Sequence, residues 1–299
     1  MPFHPHPPGL GFGAGPADFT AAAAATDTDA AAGNALGAPE LGPIGGDTTE
    51  IDDSVLETGT DAADTLSGGT GNDSLDGGAG DDTLAGTRGS DTLIGGDGDD
   101  TADYSGLHGP VTFEVEGQEV YKAHYAADEL DGIEAIVGGA SGHNTIDAGP
   151  EEDSDEAQTI SIEVDLSAET LTVHDSSDGS DTTYTVVDFH NVVGSDNADS
   201  IVGDDGRNRL DGGEGDDTLA GGLGHNVLRG GDGADTFVLD GGTDRIVDFD
   251  ADEGDQISIS SSIETVEDGE HGAVVEFADG SSVQLVGIQS SDVDTGWFT

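Results

Sequence analysis

Gly68-Gly69-Thr70-Gly71-Asn72-Asp73-Ser74-Leu75-Asp76 is followed at once by Gly77-Gly78-Ala79-Gly80-Asp81-Asp82-Thr83-Leu84-Ala85. One pattern is written twice: glycine at places one, two and four, aspartate at place six, a large apolar residue at place eight. Asp64, Asp73, Asp82, Asp91 and Asp100 carry it at a nine-residue step, with Leu66, Leu75, Leu84, Leu93 and Ala102 two places after each. The step returns at Asp199, Asn208, Asp217, Asn226 and Asp235, with Ile201, Leu210, Leu219, Leu228 and Phe237 as apolar partners. Self-similarity at a fixed short period marks a repeat architecture.

Each unit reads as a six-residue turn and a three-residue strand. The glycines permit positive φ and close backbone approach. The eighth residue points inward. Two units close one coil, and repeat i lies over repeat i+2. Asp64, Asp82 and Asp100 then share one edge, while Asp73 and Asp91 share the other. Carboxylates stacked at the ~4.8 Å strand spacing repel unless a cation separates them. All-oxygen ligands at flexible geometry favour Ca²⁺ over zinc or copper, and over Mg²⁺, which wants a tighter octahedron.

Composition agrees. Six Lys and Arg stand against 65 Asp and Glu, for a net charge of −59, with 50 glycines and no cysteine. Large aliphatic residues and Phe make up about one residue in five, the edge below which a highly charged chain stays unfolded. Disulfides, thiolate metal sites and a Cys nucleophile are excluded. Such acidity repels nucleic-acid phosphates, and no apolar run reaches the ~18 residues of a membrane span. A chain whose own charge opposes compaction needs cations to fold.

The pattern GGxGxDxUx resembles the RTX, or haemolysin-type, calcium-binding repeats, tightly over roughly 57–105 and 191–239. Asp244-Arg245-Ile246-Val247-Asp248-Phe249 and Gly254-Asp255-Gln256-Ile257 are similar to the C-terminal region of serralysin-like proteins. The resemblance implies a parallel β-roll that binds several Ca²⁺ ions through the sixth-position side chain and turn carbonyls. In the first block those positions are Asp64, Gly68, Gly69, Gly71, Asp73, Gly77, Gly78, Gly80, Asp82, Gly86, Gly89, Asp91, Gly95, Gly96, Gly98 and Asp100. In the second they are Asp199, Gly203, Gly206, Asn208, Gly212, Gly213, Gly215, Asp217, Gly221, Gly222, Gly224, Asn226, Gly230, Gly231, Gly233 and Asp235. It also implies export by a type I secretion machinery through an uncleaved C-terminal signal. The acidic-then-aromatic end, Asp292-Val293-Asp294-Thr295-Gly296-Trp297-Phe298-Thr299, is similar to such signals. The absence of a Sec-type leader fits that route.

The expected fold is all-β: a roll of nonapeptide repeats in two blocks joined by irregular strands, with a C-terminal β cap. Residues 1–46 read as a flexible Pro/Gly/Ala-rich arm whose close His4 and His6 are solvated. Residues 47–105 form the first block and 106–190 an irregular β region. That region holds a worn repeat at Gly139-Ala140-Ser141-Gly142-His143-Asn144-Thr145-Ile146 and an acidic loop at 151–156. Residues 191–239 form the second block and 240–299 the cap, with a hairpin from Val274–Phe277 to Val283–Val286 through Asp279-Gly280. The pairs Asp64/Asp82, Asp73/Asp91, Asp82/Asp100, Asp199/Asp217 and Asp217/Asp235 are expected to bind calcium best. Asn208 and Asn226, beside Arg207, Arg209, His225 and Arg229, make a weaker site, and the arginines there relieve charge.

Two functional classes stay open. One is a secreted, extracellular, non-enzymatic protein of the matrix or cell surface, binding polysaccharide or protein there. The other is an extracellular enzyme acting on acidic polysaccharide, with its site in 103–190. No H-E-x-x-H helix, G-x-S-x-G elbow or P-loop occurs. Tyr121-Lys122-Ala123-His124-Tyr125 is similar to the Tyr-and-Lys-Ala strand of some alginate lyases. No Arg lies between Arg88 and Arg207 to neutralise a substrate carboxylate, which favours the non-enzymatic class.

Overall fold

The computed structural model describes residues 54–123, 125–150 and 158–299. The expected arm, its two histidines and the acidic loop lie outside the described residues.

The nine-residue period is realised as short parallel strands that alternate between two sheets. Thr65–Ser67, Thr83–Ala85 and Thr101–Asp103 lie side by side in one sheet, with Leu66 beside Leu84 and Leu84 beside Ala102. Ser74–Ala79 and Thr92–Asp97 pair in the other, with Leu75 beside Leu93. Partners are eighteen residues apart, so repeat i does stack on repeat i+2. In the second block Ile201, Leu219, Phe237 and Ile257 form one ladder, and Val192, Leu210, Leu228, Ile246 and Leu285 the other. All the expected inner residues are buried, at no more than 5% exposure. The core is a file of single side chains between two sheets, because a three-residue strand has room for one inward residue.

The joining region is more regular than expected. Both sheets run unbroken through it, as 14- and 11-stranded sheets among the described residues. In one sheet the chain overshoots to Val111–Glu114, returns antiparallel through Glu119–Lys122, and runs forward again in Asp128–Asp131 beside Thr92–Asp97. In the other, Ile160–Asp165, Thr170–Asp175 and Ser180–Val187 make the same overshoot and return, ending beside Ala135–Val137. Each meander seats its apolar face on the file: Phe113, Val120, Val164, Leu171 and Tyr184 are buried. Phe113 meets Tyr184 edge-on, ring centroids 5.3 Å apart.

The expected closing hairpin is present as Gly272–Phe277 with Ser282–Val286, extended antiparallel by Ile263–Asp268. Ser282–Val286 lies parallel to Thr243–Ile246, so the cap is a continuation of the roll. The last residues fold back on it: Trp297 packs on Phe249 at 5.1 Å between ring centroids, and Phe298 bridges to Ile257.

Candidate metal centre

The sixth-position aspartates line the edges of the roll. Most use one oxygen to accept the backbone N–H eighteen residues earlier, and Asp199 accepts from Ile162 N, 37 residues earlier. Asp82 Oδ1 accepts from Asp64 N at 2.7 Å, Asp100 from Asp82 at 2.7 Å, Asp91 from Asp73 at 3.0 Å, Asp217 from Asp199 at 2.8 Å and Asp235 from Asp217 at 2.9 Å. All five expected aspartate pairs are therefore brought together. The second oxygen is left over. Oδ2 of Asp73, Asp82, Asp100, Asp217 and Asp235 is buried without a hydrogen-bond partner. An unpartnered buried carboxylate oxygen is costly.

The space in front of these oxygens is held open by glycine. A Cβ on Gly77 would press into Asp82 Oδ2 and stand 2.6 Å from the Gly95 carbonyl oxygen. One on Gly212 would press into Asp217 Oδ2 and stand 2.5 Å from the Gly230 carbonyl oxygen. One on Gly95 would stand 2.5 Å from Asp100 Oδ2 and crowd the Gly132 carbonyl. Gly68 and Gly230 likewise face Oδ2 of Asp73 and Asp235. Among the described residues, no three His, Cys, Asp or Glu side chains converge on one point. A metal here is therefore held by a carboxylate or two and by turn carbonyls, an all-oxygen set that suits Ca²⁺. The residues fit that ion.

The electrostatics point the same way. Burial pushes the Asp217 carboxyl up to about 7; its backbone hydrogen bond opposes this, and the charges of Asp199 and Asp235 add to it. Burial likewise takes Asp199 and Asp235 up to about 6 and raises Asp100. These groups resist ionising in the bare protein, and a dication reverses that preference.

Not every turn is alike. Asp64, in the first coil described, is half-buried, and its Oδ2 accepts from Thr60 N at 2.6 Å and Thr60 Oγ1 at 2.8 Å. Asp199 Oδ2 accepts from Ser195 N at 2.6 Å. At the asparagine edge, the amide nitrogens supply donors. Asn208 Nδ2 donates to the His190 carbonyl at 3.0 Å, and Asn226 Nδ2 donates to Asp244 Oδ1 at 2.9 Å. A site that already contains N–H donors attracts a cation less. Two of the neighbouring arginines are engaged with acids: Arg229 lies 3.4 Å from Asp211 and 3.5 Å from Asp248, and Arg209 lies 3.9 Å from Asp211. Charge relief is thus their visible role. The Asp91 turn departs furthest, because the buried Lys122 ammonium lies against it.

Several edge residues escaped the nine-residue reading. Asp128 Oδ1 accepts from Asp91 N at 2.7 Å, Glu134 Oε2 from Asp100 N at 2.8 Å and Asp255 Oδ1 from Asp235 N at 2.9 Å. They stand 37, 34 and 20 residues on: inserted strands hide the first two from the period, and a coil two residues longer than the rest hides Asp255. Asn144, in the worn repeat, serves Val111 N at 2.9 Å. Asp244 was within reach: it follows Asn226 by eighteen residues, is buried, and leaves Oδ2 unpartnered. Burial takes its carboxyl up to about 7.

A roll whose edges are glycine-lined oxygen cradles defines a class of calcium-binding repeat protein. The RTX calcium-binding nonapeptide repeat matches this chain in four copies, over residues 58–93, 76–106, 193–228 and 212–246. The chain carries RTX calcium-binding repeats and folds as a parallel β-roll. A comparison with curated proteins gave no match. Among solved structures, the chain is similar to the AlgE6R3 subunit of the mannuronan C5-epimerase of Azotobacter vinelandii. Identity is 26%, covering 37% of this chain and 77% of that one, with a TM-score of 0.32. It is also similar to the extracellular lipase LipA of Serratia marcescens, at 21% identity over 82% of this chain and 40% of that one, with a TM-score of 0.25.

Proposed function

We propose that this protein is a secreted, non-enzymatic calcium-binding protein that folds on meeting Ca²⁺ outside the cell and serves at the matrix or cell surface. The observation that carries the reading is the row of buried, unpartnered Oδ2 atoms at Asp73, Asp82, Asp100, Asp217 and Asp235, each facing a glycine-lined space. The metal-free chain bears this burial cost together with its −59 charge, so it is expanded at low calcium. Binding supplies folding free energy, since the sites do not exist in the unfolded chain. Cytosolic free calcium lies far below the ~0.1–1 mM range of extracellular modules. The chain therefore stays threadable inside the cell and closes outside it. Lys122 lies against buried carboxylates, which supports a non-enzymatic role for 103–190.

Scattering and circular dichroism of the full chain, titrated from excess EDTA into calcium, test the folding half. The expected result is an expanded chain that becomes compact and β-rich with calcium. A chain of native radius in EDTA at low salt contradicts it. Export from cells tests the secretion half, with normal export after removal of 240–299 as the opposing outcome. Turnover of a uronate polymer, lost in Tyr121→Phe, would overturn the non-enzymatic role.

A further inference from the structure

At the Asp64, Asp82 and Asp100 levels of the first block, a first-place glycine (Gly59, Gly77, Gly95) faces the sixth-position carboxylate with a carbonyl oxygen beside it, and at the Asp73 level Gly68 faces the carboxylate itself. At the Asp91 turn that arrangement is replaced. A Cβ on Gly86 would meet the ring of Tyr104, and no carbonyl or carboxylate oxygen is among its nearest neighbours. Tyr104 is fully buried, and burial, with the Asp128 charge second, holds its phenol well above the usual value.

The carboxylate is also already served. Asp91 Oδ2 accepts from Thr87 N and Thr87 Oγ1, both at 3.3 Å, and lies 3.5 Å from Lys122 Nζ. The same ammonium is hydrogen-bonded to Asp128 Oδ1. The side chains of all three ionic partners are at most 1% exposed. Lys122 is the chain's only lysine, and the returning strand Glu119–Lys122 delivers it between two coils whose carboxylates would otherwise repel.

We infer that the Asp91 level takes the ammonium of Lys122 in place of a calcium ion, so that the joint between the first block and the central meander is metal-free. This rests on calcium filling the other turns. A buried ion pair is kept at a cost in desolvation, and removing one partner leaves the other charge uncompensated. A lysine built into the chain has an occupancy independent of calcium. The meander therefore stays docked on Thr92–Asp97 at calcium concentrations that empty the neighbouring levels.

The test is a crystal structure of the full chain grown with calcium, with ions located by anomalous scattering. The expected map has ions at the Asp82, Asp100 and Asp217 turns and none touching Asp91 or Asp128. An ion there, with Lys122 displaced, overturns the inference alone; no ion at any turn overturns the calcium reading and this inference together. Equilibrium dialysis of Lys122→Ala adds an independent count. One ion more per chain than the native protein is expected, and an unchanged count in a folded variant speaks against the substitution of metal by lysine. If that variant does not fold, the native map decides.

Discussion

Gly212→Ala separates the cradle from the backbone. Gly212 is not among the residues with positive φ, so alanine meets no conformational penalty there. Its Cβ would instead press into Asp217 Oδ2 and lie 2.5 Å from the Gly230 carbonyl oxygen, inside the distance that real Cβ atoms keep. The side chain of Asp217 can swing away, but the carbonyl belongs to the next coil's ladder. The expected loss is the ion at that level. With a site of Kd about 0.1–1 mM and calcium tenfold above Kd, that ion contributes about 1.4 kcal/mol. Its contribution grows by about 1.4 kcal/mol for each further decade of calcium. The assay is denaturant unfolding at several calcium concentrations, with ion counting alongside. In Gly212→Ala the rise of stability with log calcium should be shallower by about 1.4 kcal/mol per decade. Gly280→Ala, in the turn of the cap hairpin and outside the calcium positions, is the control. Gly280 has φ +89° and nothing within 4 Å of an added Cβ. That variant should lose about 1–3 kcal/mol by strain, as a parallel shift with unchanged slope. A parallel shift and a full ion count in Gly212→Ala would refute the reasoning.

Three further outcomes are expected. Asn226→Asp places a second carboxylate against Asp244, replacing the 2.9 Å hydrogen bond. It should lower stability in EDTA, add an ion in calcium, and steepen the calcium dependence measured by dialysis and unfolding. Leu84→Asp puts a charge into a fully buried place in the file and should cost roughly 3–5 kcal/mol in calcium-saturated unfolding. The pH dependence follows from Asp217 at about 7 and Asp199 and Asp235 at about 6. Their folded values lie above the ordinary 3.8, so between about pH 4 and 7 the folded metal-free chain binds more protons than the unfolded one. Residual structure in EDTA should therefore grow as pH falls from 8 to 5, read by circular dichroism. The calcium needed to fill the sites of the folded chain should rise over the same range, because protons and calcium compete for the same oxygens, while the calcium needed to fold the chain should not.

The sequence made the two blocks legible because one nine-residue step carries both the inward side chain and the edge ligand. Leu75 above Leu93 and Asp82 above Asp100 are the same fact, seen from the core and from the turn. The central region was legible as strands and not as topology. Alternation in 111–115 or 160–166 says which face is buried. It does not say that the chain passes two strand positions and comes back. That is settled by long-range pairing, such as Asp91 with Asp128, whose separation of 37 residues fits no repeat. Lys122 was visible only as a lone lysine beside tyrosines, and its partners became evident once the returning strand was placed. Asn144 and Asp244 show the converse: a worn or polar-substituted repeat still performs the edge task when its backbone keeps the stack.

The eighteen-residue register also constrains how such a gene can lengthen or shorten. Loss or duplication of one full coil leaves each strand in its own sheet and each turn on its own edge, so the neighbours on either side find the same partners. Loss of a single repeat would send all later strands to the opposite sheet. The meanders mark the other permitted step. Each adds two strands to one sheet, one reversed and one forward, so the chain resumes in its original direction. Heritable changes of length in this architecture are thus quantised, in whole coils or in strand pairs.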